Sequence, residues 1–408
     1  MFGANKTKII TDEDKINEVL TRGVENIYPS VDFLKSKLLK GERVSIYLGI
    51  DPTGTSLHLG HVIPLRKLAK FQELGHQIIL LMGDFTAMIG DPTDKTAVRK
   101  KLTHEEVMEN LKEYKKQASK FISFSGENPA QFKFNSEWLG EMKFKDVLEI
   151  TSLVTVEQMM KRDMFARRSQ EGKPTYVHEL MYPLMQGYDS VAMNVDGEVG
   201  GNDQTFNMLV GRDLMKTLKN KEKFVITTKL LVDSSGGKMG KTEGNMVALD
   251  QTAEDMFGAV MSWNDELIVP AFELATDISI NEIEEIKEKV NKGDALKEMK
   301  VKLAKEIVKM YHGEKEAREA AENFERTFSK GEFPEDAKVL KVLKTDKLID
   351  VLVDNKIIES KSEFRRLILA GAISDFPNKK ISDSNEAVGE SERKIKVGKR
   401  IFVIIKSN

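Results

Sequence analysis

Two histidines, His58 and His61, are the side chains whose types and spacing most directly suggest chemistry. They follow a run of turn-forming residues, 51–56, and stand where an apolar segment with helical spacing begins. The start of a helix offers unpaired backbone N–H groups and a partial positive charge, and both attract phosphate. Gly60 lies between the histidines and has no side chain, so a flat ligand could lie against the backbone there. The pattern therefore predicts a phosphate site beside room for a flat ligand.

Two other interpretations of the histidine pair are open: ordinary residues at a helix cap, or half of a metal site with i, i+3 spacing. The sequence contains no HExxH pattern and no cysteine. Both absences disfavour a metal, because these are groups that commonly hold zinc. We therefore expect no metal held by the protein, and no zinc.

A second informative stretch, Val177–Met193, is apolar on nearly every side and is predicted to form a buried helix. Buried polar groups need partners, so a polar stripe on this helix predicts a polar ligand. A hydrogen-bond network inside the core is the alternative. The stripe has members at i, i+4, i+8 and i+11, which are His178, Tyr182, Gln186 and Asp189.

Short apolar, β-branched runs supply the strands that would position these residues. Segments 44–50 and Gln77–Met82 are predicted to be buried strands, with a helix over 57–75 between them. Strand, helix and strand with loops at the strand ends begin a parallel α/β sheet, and ligands bind at such ends. Two later strands are predicted at 195–199 and Phe224–Thr228.

Helices are predicted in much of the remaining N-terminal half. Segment 11–39 is expected to form one or two amphipathic helices. A capping box of Thr103 with Glu106 predicts a helix that runs to about residue 124. Segment 126–140 is expected to be irregular.

The C-terminal part differs in composition from the part before it. Segment 252–330 is rich in Lys and Glu and is predicted to be helical, and 329–337, with Gly331 and Pro334, is a candidate linker. From about residue 341 the chain is locally basic. It resembles the small RNA-binding module first described in a small-subunit ribosomal protein. That resemblance implies RNA-binding side chains at Arg365, Arg366, Lys399 and Arg400.

Length and composition bound the class of protein. With 408 residues, 40% of them hydrophobic, the chain is long enough for two or three domains. Its net charge of −2 gives no overall positive field, so RNA contact must come from local patches. The absence of Cys fits a cytoplasmic protein. No apolar run approaches the roughly 18 residues of a membrane-spanning helix, so no membrane association is expected.

The first strand, the sequence DPTGTSLHLGH and the following helix resemble the first signature of class I aminoacyl-tRNA synthetases. The second signature of that family is a lysine-bearing loop, usually KMSKS, and GKMGKT resembles it about 180 residues downstream. Lys238 and Lys241 keep both lysines, while Gly240 and Thr242 depart from the motif. A P-loop is excluded here, because that motif requires Gly where Ser235 stands.

The whole chain, including the C-terminal module, resembles the tyrosyl-tRNA synthetases, and the resemblance implies roles for individual residues. Tyr47 and Asp189 match the pair that holds the substrate phenol, a group that both donates and accepts a hydrogen bond. The residues that match those around the substrate ammonium and carboxylate are Asp91, Tyr182, Gln186 and Gln204. The implied ATP-binding residues are Gly49, Asp51, Thr53, His58, Gly60, His61, Gly201, Asp203, Lys238, Met239 and Lys241.

The resemblance also implies a reaction in two steps. Such an enzyme joins an amino acid to ATP, releases pyrophosphate and passes the acyl group to tRNA. The first step depends on positioning and charge neutralisation around the α-phosphate. Mg²⁺ is expected with ATP, carried by phosphate oxygens. The implied partners are tRNA, L-tyrosine, ATP and a second copy of the chain in a homodimer. The implied catalytic residues are His58, His61, Lys238, Lys241, Lys95 and Arg99.

The expected fold class is therefore α/β, with a Rossmann-like parallel-sheet catalytic domain over residues 1–230. A dimer-interface insertion is expected within it at about 126–175. The lysine loop and an α-helical anticodon-binding domain would follow over 231–330. A small α+β RNA-binding module would occupy 341–408.

Three alternatives compete with this interpretation. A tryptophanyl-tRNA synthetase would have the same fold, but it would not need Tyr47 and Asp189 paired at a phenol. A small nucleotidyltransferase with an HxGH loop would be far shorter. A non-catalytic RNA-binding protein on a synthetase scaffold would be expected to lose His58, His61 or Lys241, and all three are present.

Overall fold

A computed structural model places most of the chain in two compact units. One comprises Met1–Gln251 with Trp263–Leu303, and the other comprises Thr252–Ser262 with Ala304–Asn408. The residues that the structure describes are 7–92, 102–232, 247–293, 295–329, 333, 337–377, 379–390, 392–398 and 401–407.

Six strands form the sheet of the first unit: β1 (Val24–Tyr28), β2 (Ser45–Ile50), β3 (Gln77–Met82), β4 (Gln131–Phe134), β5 (Gly197–Gly201) and β6 (Phe224–Thr228). Their spatial order is β1-β6-β5-β2-β3-β4. β1 and β6 run antiparallel, and the other neighbouring strands run parallel. Parallel neighbours need crossover connections, which helices supply here.

The helices of this region, in chain order, are α1 (Glu13–Thr21), α2 (Val31–Leu39), α3 (Leu59–Glu73), α4 (Thr86–Ile89), α5 (His104–Leu111), α6 (Tyr114–Ala118), α7 (Ser136–Leu139), α8 (Phe144–Thr151), α9 (Val156–Met160), α10 (Asp163–Gln170), α11 (Val177–Met193) and α12 (Thr205–Lys219). α3 packs on β2, β3 and β5, while α12 packs on β5 and β6. Two glycines, Gly187 of α11 and Gly211 of α12, let those two helices approach closely. A Cβ at Gly187 would lie 3.0 Å from the backbone nitrogen of Gly211.

The strand order reverses at β2, and this reversal creates the place for a site. From β2 the chain passes through α3 to β3 on one side, while β5 lies on the other side of β2. Loops that leave β2 and β5 therefore diverge, and the crevice between them is where open α/β sheets bind ligands. In the register of the sheet, Tyr47 of β2 is paired with Ile79 of β3 and with Glu198 of β5.

Several elements differ from the sequence prediction. β1 separates α1 from α2 within segment 11–39, and β4 lies in segment 126–140, which was expected to be irregular. Both are the outermost strands of the sheet, so their short, partly exposed sequences lack the continuous apolar run of a central strand. The helix predicted after Thr103 is two helices, α5 and α6, although its capping box with Glu106 is confirmed.

The later helices are α13 (Ala253–Met261), α14 (Ile268–Ala275), α15 (Ile280–Asn291), α16 (Leu296–His312) and α17 (Glu314–Phe324), followed by a π-helical turn at Glu325–Ser329. α14 and α15 belong to the first unit, while α13 and α17 belong to the second and pack together through Phe257 and Phe324. The helical character predicted for this segment is confirmed.

The second unit ends in a small sheet with its own core. Its elements are β7 (Lys338–Val342), α18 (Leu348–Asp354), α19 (Lys361–Leu369), β8 (Ile373–Asp375), β9 (Lys379–Lys380), β10 (Arg393–Val397) and β11 (Ile401–Ser407). The strand order is β7-β11-β10-β8-β9. Leu352, Phe364, Ile395 and Val403 are among the fully buried residues between this sheet and its helices.

The predicted fold class, α/β with a parallel core sheet and a small mixed module, is confirmed. The predicted boundaries of three functional domains remain a prediction. Within the described ranges, no helix combines the length and the apolar character that crossing a membrane requires.

Candidate active site

A cavity of about 280 Å³ opens at the carboxyl ends of β2, β3 and β5. It gathers predicted site residues from loops, strands and helices that are far apart in sequence. The predicted residues that line it are Tyr47, Gly49, Asp51, Thr53, His58, Gly60, His61, Asp91, Tyr182, Gln186, Asp189, Gly201, Asp203 and Gln204. Seven other predicted residues lie outside the described part of the chain: Lys95, Arg99, Lys238, Met239, Lys241, Lys399 and Arg400.

One end of the cavity, which we call the floor, is formed by Tyr47, Asn135 and Asp189. The Asp189 carboxylate accepts a hydrogen bond from Trp138 Nε1 at 2.8 Å and one from Asn135 Nδ2 at 3.4 Å. Burial raises the pKa of Asp189 well above its ordinary value, and the Trp138 and Asn135 hydrogen bonds oppose that shift. These two hydrogen bonds favour the ionised form of Asp189 and hold its carboxylate in place as an acceptor at the floor.

Tyr47 is the other polar group of the floor that sequence analysis predicted. Its ring is fully buried on β2, and its hydroxyl lies 2.9 Å from Ser190 Oγ of α11. Burial raises the pKa of Tyr47 well above its ordinary value, and the charges of Glu198 and Asp189 add to that effect. The hydroxyl therefore stays protonated and can both donate and accept a hydrogen bond.

Asp51 ties the loop after β2 to α4 and α11. Its carboxylate accepts hydrogen bonds from Thr86 Oγ1 at 2.7 Å and from the Tyr182 hydroxyl at 2.8 Å. Gly83 leaves the space that this carboxylate occupies, because a Cβ there would lie 2.0 Å from Asp51 Oδ1. Asp51 is thus bonded to Tyr182, a residue that the sequence prediction assigned to the ammonium end of the amino acid.

A second carboxylate, Asp91, lies on the same side of the cavity. It accepts a hydrogen bond from Gln204 Nε2 at 2.7 Å, and its other oxygen is 3.9 Å from a guanidinium nitrogen of Arg162. Burial raises the pKa of nearby Asp203, and the charge of Asp91 raises it further. Asp51, Asp91 and Asp203 outweigh the single positive charge of Arg162, so they form a negative wall of the cavity that suits a substrate ammonium group.

The two histidines and Gly60 form what we call the rim. His58 is the N-cap of α3: its Nδ1 accepts from the Gly60 N–H at 3.1 Å, while its own N–H donates to His61 Nδ1 at 3.3 Å. The two rings stack with centroids 3.8 Å apart. Since each Nδ1 accepts a hydrogen bond, each ring proton must be on Nε2.

Both rim histidines are neutral at pH 7. Burial lowers the pKa of His58 to about 4, and burial with the nearby His58 ring lowers the pKa of His61 well below its ordinary value. Each ring therefore offers an Nε2–H donor without a charge. A Cβ at Gly60 would lie 2.9 Å from His58 Cε1, so only glycine leaves the stacked rings in place.

A family model described as tRNA synthetases class I (W and Y) matches residues 39–329, a range that contains every described residue of this cavity. The chain belongs to this family. The residues of its rim and its floor, from Tyr47 to Asp189, all lie within the matched range.

Relatives and solved structures of the family extend the match beyond the cavity. The tyrosine–tRNA ligase of Carboxydothermus hydrogenoformans is 42% identical over 405 residues, covering 95% of this chain and 97% of that relative. The corresponding ligase of Aquifex aeolicus is 40% identical, with 96% of this chain and 98% of that relative covered. A C-terminally truncated mitochondrial tyrosyl-tRNA synthetase of Coccidioides posadasii has a TM-score of 0.62 at 25% identity, covering 76% of this chain and 91% of that one.

Sequence reasoning missed several residues of this synthetase cavity. Thr86, Asn135 and Glu198 line it, and Trp138 and Ser190 hold its floor residues. Glu198 could have been identified from the sequence, because it and Asp196 are the two charged residues of segment 195–201. Asn135 and Trp138 gave none, since they follow a strand that was itself missed.

One member of the predicted polar stripe on α11 does not line the cavity. Tyr182, Gln186 and Asp189 do, whereas His178 has its ring 5.8 Å from that of Tyr176. Three of the four stripe residues therefore line the cavity, and the polar ligand that the stripe predicts stays a prediction. Among the residues that the structure describes, no group of three or more His, Cys, Asp or Glu side chains is arranged to hold a metal ion.

Proposed function

We propose that this chain is a tyrosine–tRNA ligase. It activates L-tyrosine with ATP to tyrosyl-adenylate and pyrophosphate, and then transfers the tyrosyl group to the 3′ end of its tRNA. The observation that carries the proposal is one cavity whose floor holds Tyr47 and Asp189 and whose rim holds His58 and His61. Relatives named tyrosine–tRNA ligase at about 40% identity over nearly the whole chain favour tyrosine over tryptophan, and activity over a non-catalytic scaffold.

Tyrosine would bind with its phenol at the floor. A phenol has one proton to donate and lone pairs that accept, and a carboxylate with a hydroxyl satisfies both needs. The α-ammonium would lie toward Asp91, Tyr182 and Gln186. Gln204 would lie near the substrate carboxylate. The negative wall around Asp91 supports this orientation, because it places charge opposite to that of the ammonium.

ATP would lie along the loop after β2 and the start of α3. In the activation step a carboxylate oxygen of tyrosine attacks the α-phosphorus, and the bond to pyrophosphate breaks. His58 and His61 would donate their Nε2–H groups to phosphate oxygens as negative charge moves to the leaving group. The remaining ATP contacts would come from Gly49, Asp51, Thr53, Gly60, Gly201 and Asp203, all of which line the cavity.

Cationic groups of the predicted lysine loop would complete the phosphate site. Lys238 and Lys241, with Lys95 and Arg99, would neutralise the departing pyrophosphate, and Met239 would contact ATP. Mg²⁺ would arrive with ATP as part of the substrate, bound to phosphate oxygens. These assignments rest on the sequence motifs, because the residues lie outside the described ranges.

The division of labour along the chain is also a proposal: catalysis by residues 1–230, the lysine loop and anticodon binding by 231–330, and further RNA binding by 341–408. Arg365 and Arg366 on α19 support RNA binding, because both side chains are exposed on that helix, whereas the adjacent Phe364 is buried. Lys399 and Arg400 are assigned from sequence. Replacing Arg365 and Arg366 by alanine should reduce tRNA charging while leaving ATP–pyrophosphate exchange unchanged.

A homodimer in the cytoplasm is the proposed working form. Segment 126–175 and the start of α11 expose large apolar side chains, including Phe144 at 75% and Val177 at 76%. Such exposure is costly on a monomer and is typical of an interface. Sedimentation at several protein concentrations tests this, since Phe144→Glu should shift a dimer toward monomer.

The experiment that tests the function is ATP–pyrophosphate exchange with each of the twenty amino acids in turn. We expect exchange with tyrosine far above that with any other amino acid. Exchange that responds best to tryptophan would replace the proposal with a tryptophanyl enzyme. No exchange with any amino acid would support the non-catalytic alternative.

A further inference from the structure

A buried lysine lies behind the floor of the cavity. Lys223, immediately before β6, is fully buried, and its ammonium donates to Ser190 Oγ at 2.8 Å and to the carboxylate of Glu198. Gly211 of α12 makes room for it, because a Cβ there would lie 2.7 Å from Lys223 Nζ. A buried ammonium is costly unless it is paired. We call Lys223, Glu198 and Ser190 the lysine cluster.

The lysine cluster contacts two side chains of the proposed tyrosine site. Ser190 Oγ lies 2.9 Å from the Tyr47 hydroxyl, and Glu198 Oε1 accepts from Gln186 Nε2 at 3.1 Å. Glu198 and Tyr47 are also paired in the register of β5 with β2. The lysine cluster is therefore hydrogen-bonded both to Tyr47 on β2 and to Gln186 on α11.

The direction of these hydrogen bonds follows from what each group can donate. An ammonium only donates, so Ser190 Oγ accepts from Lys223. Asp189 already acts as an acceptor, toward Trp138. A phenol that gives its single proton to Asp189 needs a donor for its oxygen, and the Tyr47 hydroxyl can be that donor. The Glu198 carboxylate is a second acceptor within reach of the Tyr47 hydroxyl, and its hydrogen bond contributes to the raised pKa of Tyr47. Lys223 and Gln186 both donate to that carboxylate, which leaves the Tyr47 proton for a bound phenol. Tyr47 then accepts from Ser190, whose own proton is available for this bond.

We propose that Lys223, Glu198 and Ser190 are positioning residues that aim the hydroxyl proton of Tyr47 into the cavity. The order of donation is Lys223 to Ser190, Ser190 to Tyr47, Tyr47 to the phenol oxygen, and the phenol to Asp189. The cluster touches no reacting atom. Through Tyr47 it sets the discrimination between tyrosine and phenylalanine. This role rests on the proposed function of the cavity.

The test is a double-mutant cycle on Ser190 and Tyr47, with the ratio of kcat/KM for tyrosine to that for phenylalanine as the readout in pyrophosphate exchange. Ser190→Ala should lower this ratio about 2- to 10-fold, the effect of one hydrogen bond. The same change in a Tyr47→Phe background should cause no further fall, because the hydroxyl it acts through is gone. The KM for ATP should stay at its wild-type value in all variants.

Two further variants separate positioning from loss of stability. Thr276→Ala removes another fully buried hydroxyl, which bonds to the Phe272 carbonyl at 2.6 Å, and it should leave the ratio unchanged. The double variant Lys223→Met with Glu198→Gln removes the ammonium donor without leaving a buried charge unpaired. It should lower the tyrosine-to-phenylalanine ratio of kcat/KM as Ser190→Ala does. It replaces Ser190→Ala in the test if that variant does not fold.

The outcomes distinguish this inference from the proposed function. Tyrosine-dependent exchange in the wild type together with an unchanged ratio in Ser190→Ala would overturn the inference alone. An effect of Ser190→Ala that is equally large in the Tyr47→Phe background would also overturn it, because the serine would then act independently of Tyr47. No tyrosine-dependent exchange in the wild type would overturn both.

Discussion

At the floor of the cavity, Asp189 is bonded to Trp138 and Asn135 from elsewhere in the chain, and Tyr47 is bonded to Ser190 of α11. At the rim, His58 and His61 bond to backbone N–H groups of their own helix start. The polar side chains of the floor thus depend on tertiary contacts between distant segments. The ring hydrogen bonds of the rim are local, although the backbone around His58 is bridged to Ala248.

This difference separates two tasks. Tyr47 and Asp189 at the floor are buried, so a ligand that lacks a hydroxyl would leave each of them short of one hydrogen bond and would be disfavoured. In the proposed function, the neutral Nε2–H donors at the rim would face the phosphate oxygens where charge develops during reaction, so they would act on rate. The floor should therefore control which amino acid reacts, and the rim should control how fast it reacts.

Removing a rim donor should have the largest effect. His58→Ala is expected to lower kcat of pyrophosphate exchange by about 10²–10³, the usual cost of losing one preorganised donor, about 2.7–4 kcal/mol. The affinity for tyrosine should change little. Single-turnover exchange and equilibrium tyrosine binding check this, with His58→Asn as a variant that keeps an N-cap acceptor. A near-normal kcat in His58→Ala would show that His58 of the rim does not stabilise the transition state.

Removing the floor carboxylate should come next. Asp189→Ala is expected to lower kcat/KM for tyrosine about 10- to 150-fold, as expected for a hydrogen bond to a charged partner. It should also destabilise the fold, since the Trp138 and Asn135 donors lose their acceptor. Asp189→Asn keeps the size of the side chain and serves as the matched variant. If both variants activate tyrosine normally, the phenol binds elsewhere.

Removing the floor hydroxyl should have a smaller effect. Tyr47→Phe takes away one neutral hydrogen bond, so kcat/KM for tyrosine should fall about 2- to 10-fold. The value for phenylalanine should stay the same or rise. Steady-state exchange with each amino acid measures this, and an unchanged value for tyrosine would exclude Tyr47 from phenol binding.

The smallest effect concerns pH. The folded pKa of His58, about 4, lies below its unfolded value of 6.5, so folded protein binds fewer protons between these values. The stability that neutral His58 contributes is therefore fully present above pH 6.5 and is lost as pH falls toward 4. Activity should show no histidine titration between pH 6 and 8.

Ring NMR of ¹⁵N-labelled histidines tests the pH prediction, with the resonance of His58 assigned by its absence in His58→Asn. We expect the Nε2-protonated tautomer at pH 7 and titration near pH 4. Titration of His58 near pH 6.5 would show that the rim carries charge at the lower end of the physiological range.

The same contrast explains how much could be predicted from the sequence. The rim is a local motif, so DPTGTSLHLGH followed by a helical pattern located His58, Gly60 and His61 at the edge of the cavity. Tyr47 and Asp189 were found through family resemblance and through the polar stripe of α11. The partners of those floor residues could not be found in this way, because tertiary contacts leave no periodic signal.

Particular residues show why the surroundings of the floor were harder to predict from the sequence. Lys223 ends the charged run KNKEK, which is typical of a solvated turn, yet its ammonium is buried. Asn135 and Trp138 follow β4, an edge strand with the short alternating sequence QFKF. Ser190 lies among apolar residues of α11, and its small hydroxyl is not part of the stripe of larger polar side chains on that helix.

The most direct test of the separation between floor and rim is the tyrosine-to-phenylalanine ratio of kcat/KM, measured side by side in Tyr47→Phe and His58→Ala. The ratio should fall about 2- to 10-fold in Tyr47→Phe. It should stay at the wild-type value in His58→Ala, although that variant reacts far more slowly with both amino acids. An unchanged ratio in Tyr47→Phe, or an equal fall in His58→Ala, would contradict the assignment of selectivity to the floor.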